Sequence, residues 1–179
     1  SSLYAQTGKT RNNSKEAWYA ALDLNYNWSP LLSTQIGYEF LSGKRQDDQS
    51  TINKSFTPVF GTNHGFNGLM DYFYVGNHQN TVGLHDMYLK INLQKDKWSF
   101  SAQPHLFRSA GTIFNTQNEK MKTYLGSELD LTFGYQLQKD IKVSGGYSQL
   151  FASSSLESLK AHSSERNNRW AWLMISINP

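Results

Sequence analysis

The side chains able to do covalent or metal chemistry in this 179-residue sequence are few and scattered. Cysteine is absent, which removes thiol nucleophiles, disulfides and cysteine-ligated zinc together. The five histidines stand at 64, 78, 85, 105 and 162, and none has the H-E-x-x-H spacing that sets two imidazoles on one helix face. His64, His78 and Asp71 share one long connection and form a conceivable metal set. His105 with Ser99, Ser101 or Ser144 forms a conceivable base and nucleophile. Both signals are weak, because serine is abundant in these segments simply for being small and polar. Gly61, Gly65, Gly68 and Gly76 lack the strand–glycine–helix context of a phosphate cradle and read as turn formers. The expectation is therefore a protein that is not an enzyme and uses no metal or cofactor.

The remaining chemistry is electrostatic. Asp23, Glu39, Asp86, Glu128 and Asp130, with Lys90 and Lys142, recur at alternate positions of otherwise uncharged polar series. Such a set tunes the local field where polar solute passes, provided one surface gathers them. A second group occupies the connection Phe56–His78, which holds six aromatic residues and little charge. There Asn63, His64, Phe66, Asp71, Tyr72 and Tyr74 have the chemistry to stack on sugars or constrict a passage. The alternative is that these rings pack the loop on itself or against a wall, since a loop of this length needs its own core.

The elements that position these residues follow from periodicity. In Glu16–Trp28 the even positions are Trp18, Ala20, Leu22, Leu24, Tyr26 and Trp28, while the odd ones include Asp23, Asn25 and Asn27. Successive strand residues point to opposite faces, so one face is apolar and the other polar. After Ser29-Pro30-Leu31 the pattern resumes with Leu32, Thr34, Ile36, Tyr38 and Phe40. Two further hairpins repeat it, Asp86–Leu93 with Trp98–Phe107 and Leu125–Leu137 with Ile141–Phe151. Leu3–Gly8 reads as the end of another strand, and Trp170–Asn178 as a last one, apolar on both sides. Eight strands result, joined by tight turns near 29–31, 95–97 and 138–140 and by longer connections at 9–15, 42–83, 109–123 and 152–168.

Composition narrows the class. The chain is 38% hydrophobic and 14% aromatic, yet its mean hydropathy is −0.60. No apolar run is long enough for a transmembrane helix. The net charge of +3 is too mild to argue for nucleic acid. Ser1-Ser2-Leu3-Tyr4 has no basic or apolar leader character, so a leader is either removed or the chain starts inside a longer protein. Low hydropathy with many aromatics suits a transmembrane β-barrel, whose alternation looks soluble on average while one face is greasy. None of the apolar-face positions in the clear strands is charged. The polar positions are mostly Ser, Asn, Gln, Thr, Gly and Tyr rather than Lys and Glu. Aromatics bracket the apolar face, with Trp18, Tyr38, Phe40, Tyr147 and Phe151 expected near one level and Tyr26, Trp28, Trp98, Phe133 and Tyr135 near the other. Pro104 lies within a strand and predicts a local bulge. Five acids against two bases would be costly in a dry, closed eight-stranded interior, which favours a wider hydrated lumen.

The stretch from Phe56 through Gly76-Asn77-His78, with Val82-Gly83-Leu84-His85-Asp86 and the ending Trp170-Ala171-Trp172-Leu173-Met174, resembles the alginate-export family of outer-membrane barrels, Bacteroidetes members in particular. The resemblance covers essentially the whole of residues 1–179 as one domain, as the C-terminal part of a longer barrel. It implies an antiparallel up-and-down barrel in a Gram-negative outer membrane, with short periplasmic turns and long extracellular loops, passing a polysaccharide such as alginate or another polar solute. A polyuronate favours a basic lumen, and the acid excess noted above departs from that. The expected partners are outer-membrane lipid and lipopolysaccharide, the latter met by loop cations such as Lys9, Arg45, Lys54 and Arg166. Two other readings stay open: a barrel with a structural or adhesive role and no transport, and a soluble lipocalin-like barrel with its apolar face inward. The Ser-rich connection 152–168 reads as a mobile loop.

Overall fold

The structure, a computed structural model, describes residues 1–10, 13–57, 67–73, 81–160 and 167–178. It is an antiparallel up-and-down sheet of eight strands in sequence order: β1 (Ser2–Thr10), β2 (Asn13–Asn27), β3 (Leu32–Leu41), β4 (Leu84–Lys95), β5 (Trp98–Arg108), β6 (Tyr124–Gln138), β7 (Ile141–Ala152) and β8 (Asn167–Ile177). One short helix, α1 (Ser154–Lys160), precedes β8. β1 and β8 do not pair with each other, so the sheet is open and both are edges. No helix among the described residues is long and apolar enough to cross a membrane.

Local chemistry sets the tight turns. The Ser29 hydroxyl accepts from the amides of Leu31 and Leu32, each at 3.2 Å, which closes the β2–β3 turn. Asp96 takes a left-handed φ of 51° between β4 and β5, a conformation Asp tolerates better than most residues. Lys139 and Asp140 join β6 to β7 next to a bulge between Gln136 and Gln138.

Five expectations change. The connection expected at 9–15 is tight, because the β1–β2 ladder runs on to the pair Thr10–Asn13. Pro104 makes no bulge. Rungs are missing between Tyr88–His105 and Ile91–Ala102 without a change of register, while Pro104 still stands opposite Leu129. The missing N–H simply leaves a gap on the β4 side. The bulge of this strand pair lies instead in β6, opposite Phe107 and Arg108, which pair with Gly126 and Tyr124 and leave Leu125 as the extra residue. That extra residue turns Leu125 from the apolar face, where alternation placed it, into a fully buried site. Tyr147 stands in the rung row of Leu131, Ala102, Ile91, Thr34 and Tyr26, not in the row of Tyr38. Finally, the connection 152–168 contains α1, whose first turn is capped by the Ser153 hydroxyl accepting from the Leu156 amide at 3.3 Å.

Register also assigns sides in β8. Trp170, Trp172 and Met174 lie opposite Ser148, Gly146 and Ser144 on the polar face, leaving Leu173, Ile175 and Ile177 on the apolar one.

The core sits at one end of the polar face. Ala17, Leu41, Leu84, Phe107, Leu125 and Leu150 come from six successive strands and are all buried. The loops supply Phe56, Phe73, Val82, Ile113 and Leu156 to the same cluster. On the other face, Leu24, Ile36, Leu89, Phe100 and Leu131 stay exposed, Leu24 to 63%.

Candidate functional site

All seven charged positions expected to line a passage lie on the polar face. Glu39 stands opposite Asp86, Glu128 opposite His105, Asp130 opposite Gln103, and Lys142 opposite Gln136. The structure gathers four of them and keeps the bases apart. Asp86 Oδ1 lies 2.9 Å from His105 Nδ1, and Asp130 Oδ2 lies 3.7 Å from His105 Nε2, so one imidazole stands between two carboxyl groups. Asp86, His105, Glu128 and Asp130 are buried, Asp86 and Glu128 to 1% exposure. Among the described residues, no ion pair joins Lys90 or Lys142 to this layer. Both stand nearer the tight turns, so charge is segregated along the strands: acids under the loops, bases toward the turns.

Asp23 has its own partners. The Tyr88 hydroxyl donates to Asp23 Oδ1 at 2.5 Å, and Gln35 Nε2 contacts both groups at 3.3 Å. Tyr88 reaches across β3 because residue 37 is glycine; a Cβ there would lie 2.1 Å from the ring.

The acid layer grips the connection 42–83. Asn67 Nδ2 donates to Glu39 Oε2 and Asp86 Oδ2, each at 3.1 Å. The Leu69 amide donates to Asp130 Oδ2 at 3.1 Å and the Met70 amide to Glu128 Oε1 at 2.9 Å. Three left-handed residues, Asn67 (φ 54°), Gly68 (φ 91°) and Asp71 (φ 55°), shape this turn so that successive amides face the carboxylates. A side chain at 68 would collide with the Glu128 carboxylate, 2.6–2.8 Å from the added carbon. Among the described residues, Glu128 Oε2 and Asp130 Oδ1 are buried and receive no hydrogen bond from the loop.

Other contacts carry the loop across the whole sheet. At β1, Thr57 exchanges hydrogen bonds with Gln6. At β2, Lys15 Nζ donates to the Ser55 carbonyl, and the Glu16 amide to that of Asn53 at 3.0 Å. Over β5, the Phe73 ring lies 4.4 Å from that of Phe107. At β8, Asn168 Nδ2 donates to the Tyr72 hydroxyl, and Lys160 Nζ of α1 donates to the Tyr72 carbonyl at 2.8 Å. Burial, with the charge of Glu128 second, raises the Tyr72 pKa above its ordinary value. The described parts of this connection, 42–57, 67–73 and 81–83, therefore make contacts on the polar face from one edge strand to the other.

No protein-family model and no curated protein matches the chain.

Of the loop residues singled out from sequence, Asp71 and Tyr72 sit over the acid layer, while Asn63, His64, Phe66 and Tyr74 lie outside the described residues. His64 and His78 do too, and among the described residues no group of three His, Asp or Glu side chains has metal-binding geometry. His105 turns to Asp86 and Asp130, whereas Ser99, the first of its suggested serine partners, contacts the Gly134 carbonyl at 3.5 Å. Sequence reasoning passed over Asn67, Gly68 and Tyr88 as site residues. The available signal was Asn67-Gly68 itself, a pair prone to left-handed backbone.

Proposed function

We propose that this chain forms part of the wall of a Gram-negative outer-membrane β-barrel, a passive channel for a polar solute, with connection 42–83 folded over the lumenal face as its constriction. The polar face is the lumen and the bare apolar face meets hydrocarbon. The edges β1 and β8 are covered by further strands of a wider barrel. The protein is not an enzyme. One observation carries the reading: the long loop packs on the polar face, anchored to Glu39, Asp86, Glu128 and Asp130, while the apolar face keeps its large side chains exposed. A lipocalin-like arrangement calls for the reverse, with the apolar side covered.

Solute then meets an acid layer narrowed by the loop and, farther along, the ammonium groups of Lys90 and Lys142. That order of charge suits a polar oligosaccharide as a solute class, and the resemblance to alginate exporters supports a polysaccharide. Loop cations favour anionic lipopolysaccharide at the rim, although Arg45 and Lys54 already pair with Asp47 and Asp48.

The test is planar-bilayer conductance of the full-length protein with charged and neutral oligosaccharides. Deletion of residues 56–78 is expected to raise single-channel conductance. An unchanged conductance overturns the constriction, and a pore that never opens favours the structural or adhesive barrel, a reading suited to a loop that crosses every strand.

A further inference from the structure

Beneath the loops, beyond the acid layer, lies a cavity of about 460 Å³, within the range of small-molecule sites. Its apolar lining is Phe73, Val82, Leu84, Leu125, Leu156 and Leu159, drawn from the long connection, β4, β6 and α1. These side chains offer no hydrogen bonds, so a sugar seated against them would leave hydroxyls unpaired on that side; Gln46, Tyr72 and Thr81 supply the neutral polar part of the lining. An alkyl chain leaves nothing unpaired.

The rest of the lining has cationic character. Lys44, Arg45 and Lys160 face one carboxylate, Asp48. The Arg45 guanidinium is occupied by Asp47, at 2.9 and 2.6 Å, and Asp48 is held by Lys54 at 2.7 Å and by the Ser50 amide at 2.8 Å. Lys44 and Lys160 are different. Among the described residues, each ammonium bonds only to a backbone carbonyl, that of Ser50 or of Tyr72, and no carboxylate lies within 4 Å of either. An ammonium has three donors, so both keep donors to spare. Much of Lys160 is exposed, yet desolvation at its ammonium lowers its pKa, a penalty that a bound anion relieves.

We infer that this cavity binds a single-chain amphiphilic anion, its alkyl chain lying on Phe73, Leu84, Leu125 and Leu156 and its carboxylate or phosphate head held between Lys44 and Lys160. The site shares Lys44, Phe73 and Val82 with the connection 42–83, but its occupancy does not require the channel to conduct. The head group has two natural sources, a free fatty acid or an anionic membrane lipid.

The experiment uses the full-length protein in nanodiscs of zwitterionic lipid, titrated with carboxyl-labelled dodecanoate and followed by NMR. Saturable one-to-one binding is expected, with dodecanol and acetate at least about tenfold weaker as competitors, the size of one lost charge-assisted contact or of the buried chain. The double variant Lys44→Met/Lys160→Met is expected to weaken binding about tenfold or more, and Leu156→Trp, which fills the cavity, to abolish it. The proposal is overturned if acetate competes as well as dodecanoate, if dodecanol does, or if the lysine variant titrates like the parent. Should Leu156→Trp fail to fold, the lysine pair decides alone. Lysophosphatidylglycerol competing as well as dodecanoate assigns the site to a single-chain membrane lipid; dodecanoate competing far better assigns it to a free fatty acid.

Discussion

Both faces of this sheet carry large apolar side chains, a few on one and many on the other, and the two sets meet opposite fates. On the polar face, Leu41, Leu84, Phe107 and Leu150 are covered by loop residues and lose nearly all contact with solvent. On the apolar face, Leu24, Ile36 and Leu173 keep more than 60% of their surface exposed, although few polar residues stand among them. Hydrophobicity alone does not tell a residue where the core is. The loop chose its side by hydrogen bonding: the backbone of residues 67–70 needed acceptors, and only the polar face had them. Once the loop is there, the apolar residues at the loop end of that face are buried with it, and the opposite face is left for another solvent.

Substitutions can break this contrast. The largest effect is expected from Phe107→Ala, which empties a fully buried site beneath Phe73 and costs about 3–5 kcal/mol. Protease cleavage within 42–83 is then expected to quicken sharply while the strands stay protected. Next, Leu131→Arg on the apolar face is expected to cost about 2–4 kcal/mol of assembly in lipid vesicles, read as loss of heat-modifiable electrophoretic mobility. The matching change on the polar face, Gln103→Arg, is expected to assemble normally. Equal behaviour of the two arginines would remove the case for a hydrocarbon-facing side.

Smaller effects sharpen the loop side of the comparison. Gly68→Ala places a side chain at φ 91° against the Glu128 carboxylate, a strain of about 1–3 kcal/mol. Single-channel conductance is expected to rise toward that of the 56–78 deletion, with the apolar face and assembly unaffected. The smallest effect concerns pH. The Lys54 ammonium, with help from Ser50, holds the half-buried Asp48 carboxyl well below the usual carboxylate range. Because the folded pKa is the lower one, this support is complete above the unfolded value, near 4, and fades as pH falls through the folded pKa. Amide exchange in residues 45–54 is therefore expected to speed up on acidification below about pH 4, and Lys54→Met to flatten that response.

Much of the fold was legible because a strand's period of two is written directly in the residues. Alternation of Leu22, Leu24 and Tyr26 with Asp23, Asn25 and Asn27 assigned both faces of β2, and the same rule placed all seven charged positions together. Leu125 escaped the rule because a bulge depends on the partner strand, not on the run in which it occurs. Helix α1 was hidden in a Ser-rich stretch, although Ser153 with Leu156 and Leu159 carries a cap and a helical spacing. Of the site, the acids were visible but their gathering was not. Glu39, Asp86, Glu128 and Asp130 are united by Asn67 and two backbone amides that lie at least 19 residues away along the chain.

The sequence by itself determined the strands, their order and which side of the six clear ones is polar, since these follow from chain geometry and neighbours one or two residues apart. Only the tertiary structure decided that residues 67–73 are held over the polar face, that His105 stands between Asp86 and Asp130, and that Lys90 and Lys142 stay apart from the acids. Those facts depend on loop closure over long separations, where the gain from each contact must exceed the entropy of bringing distant segments together, and no local pattern encodes that balance.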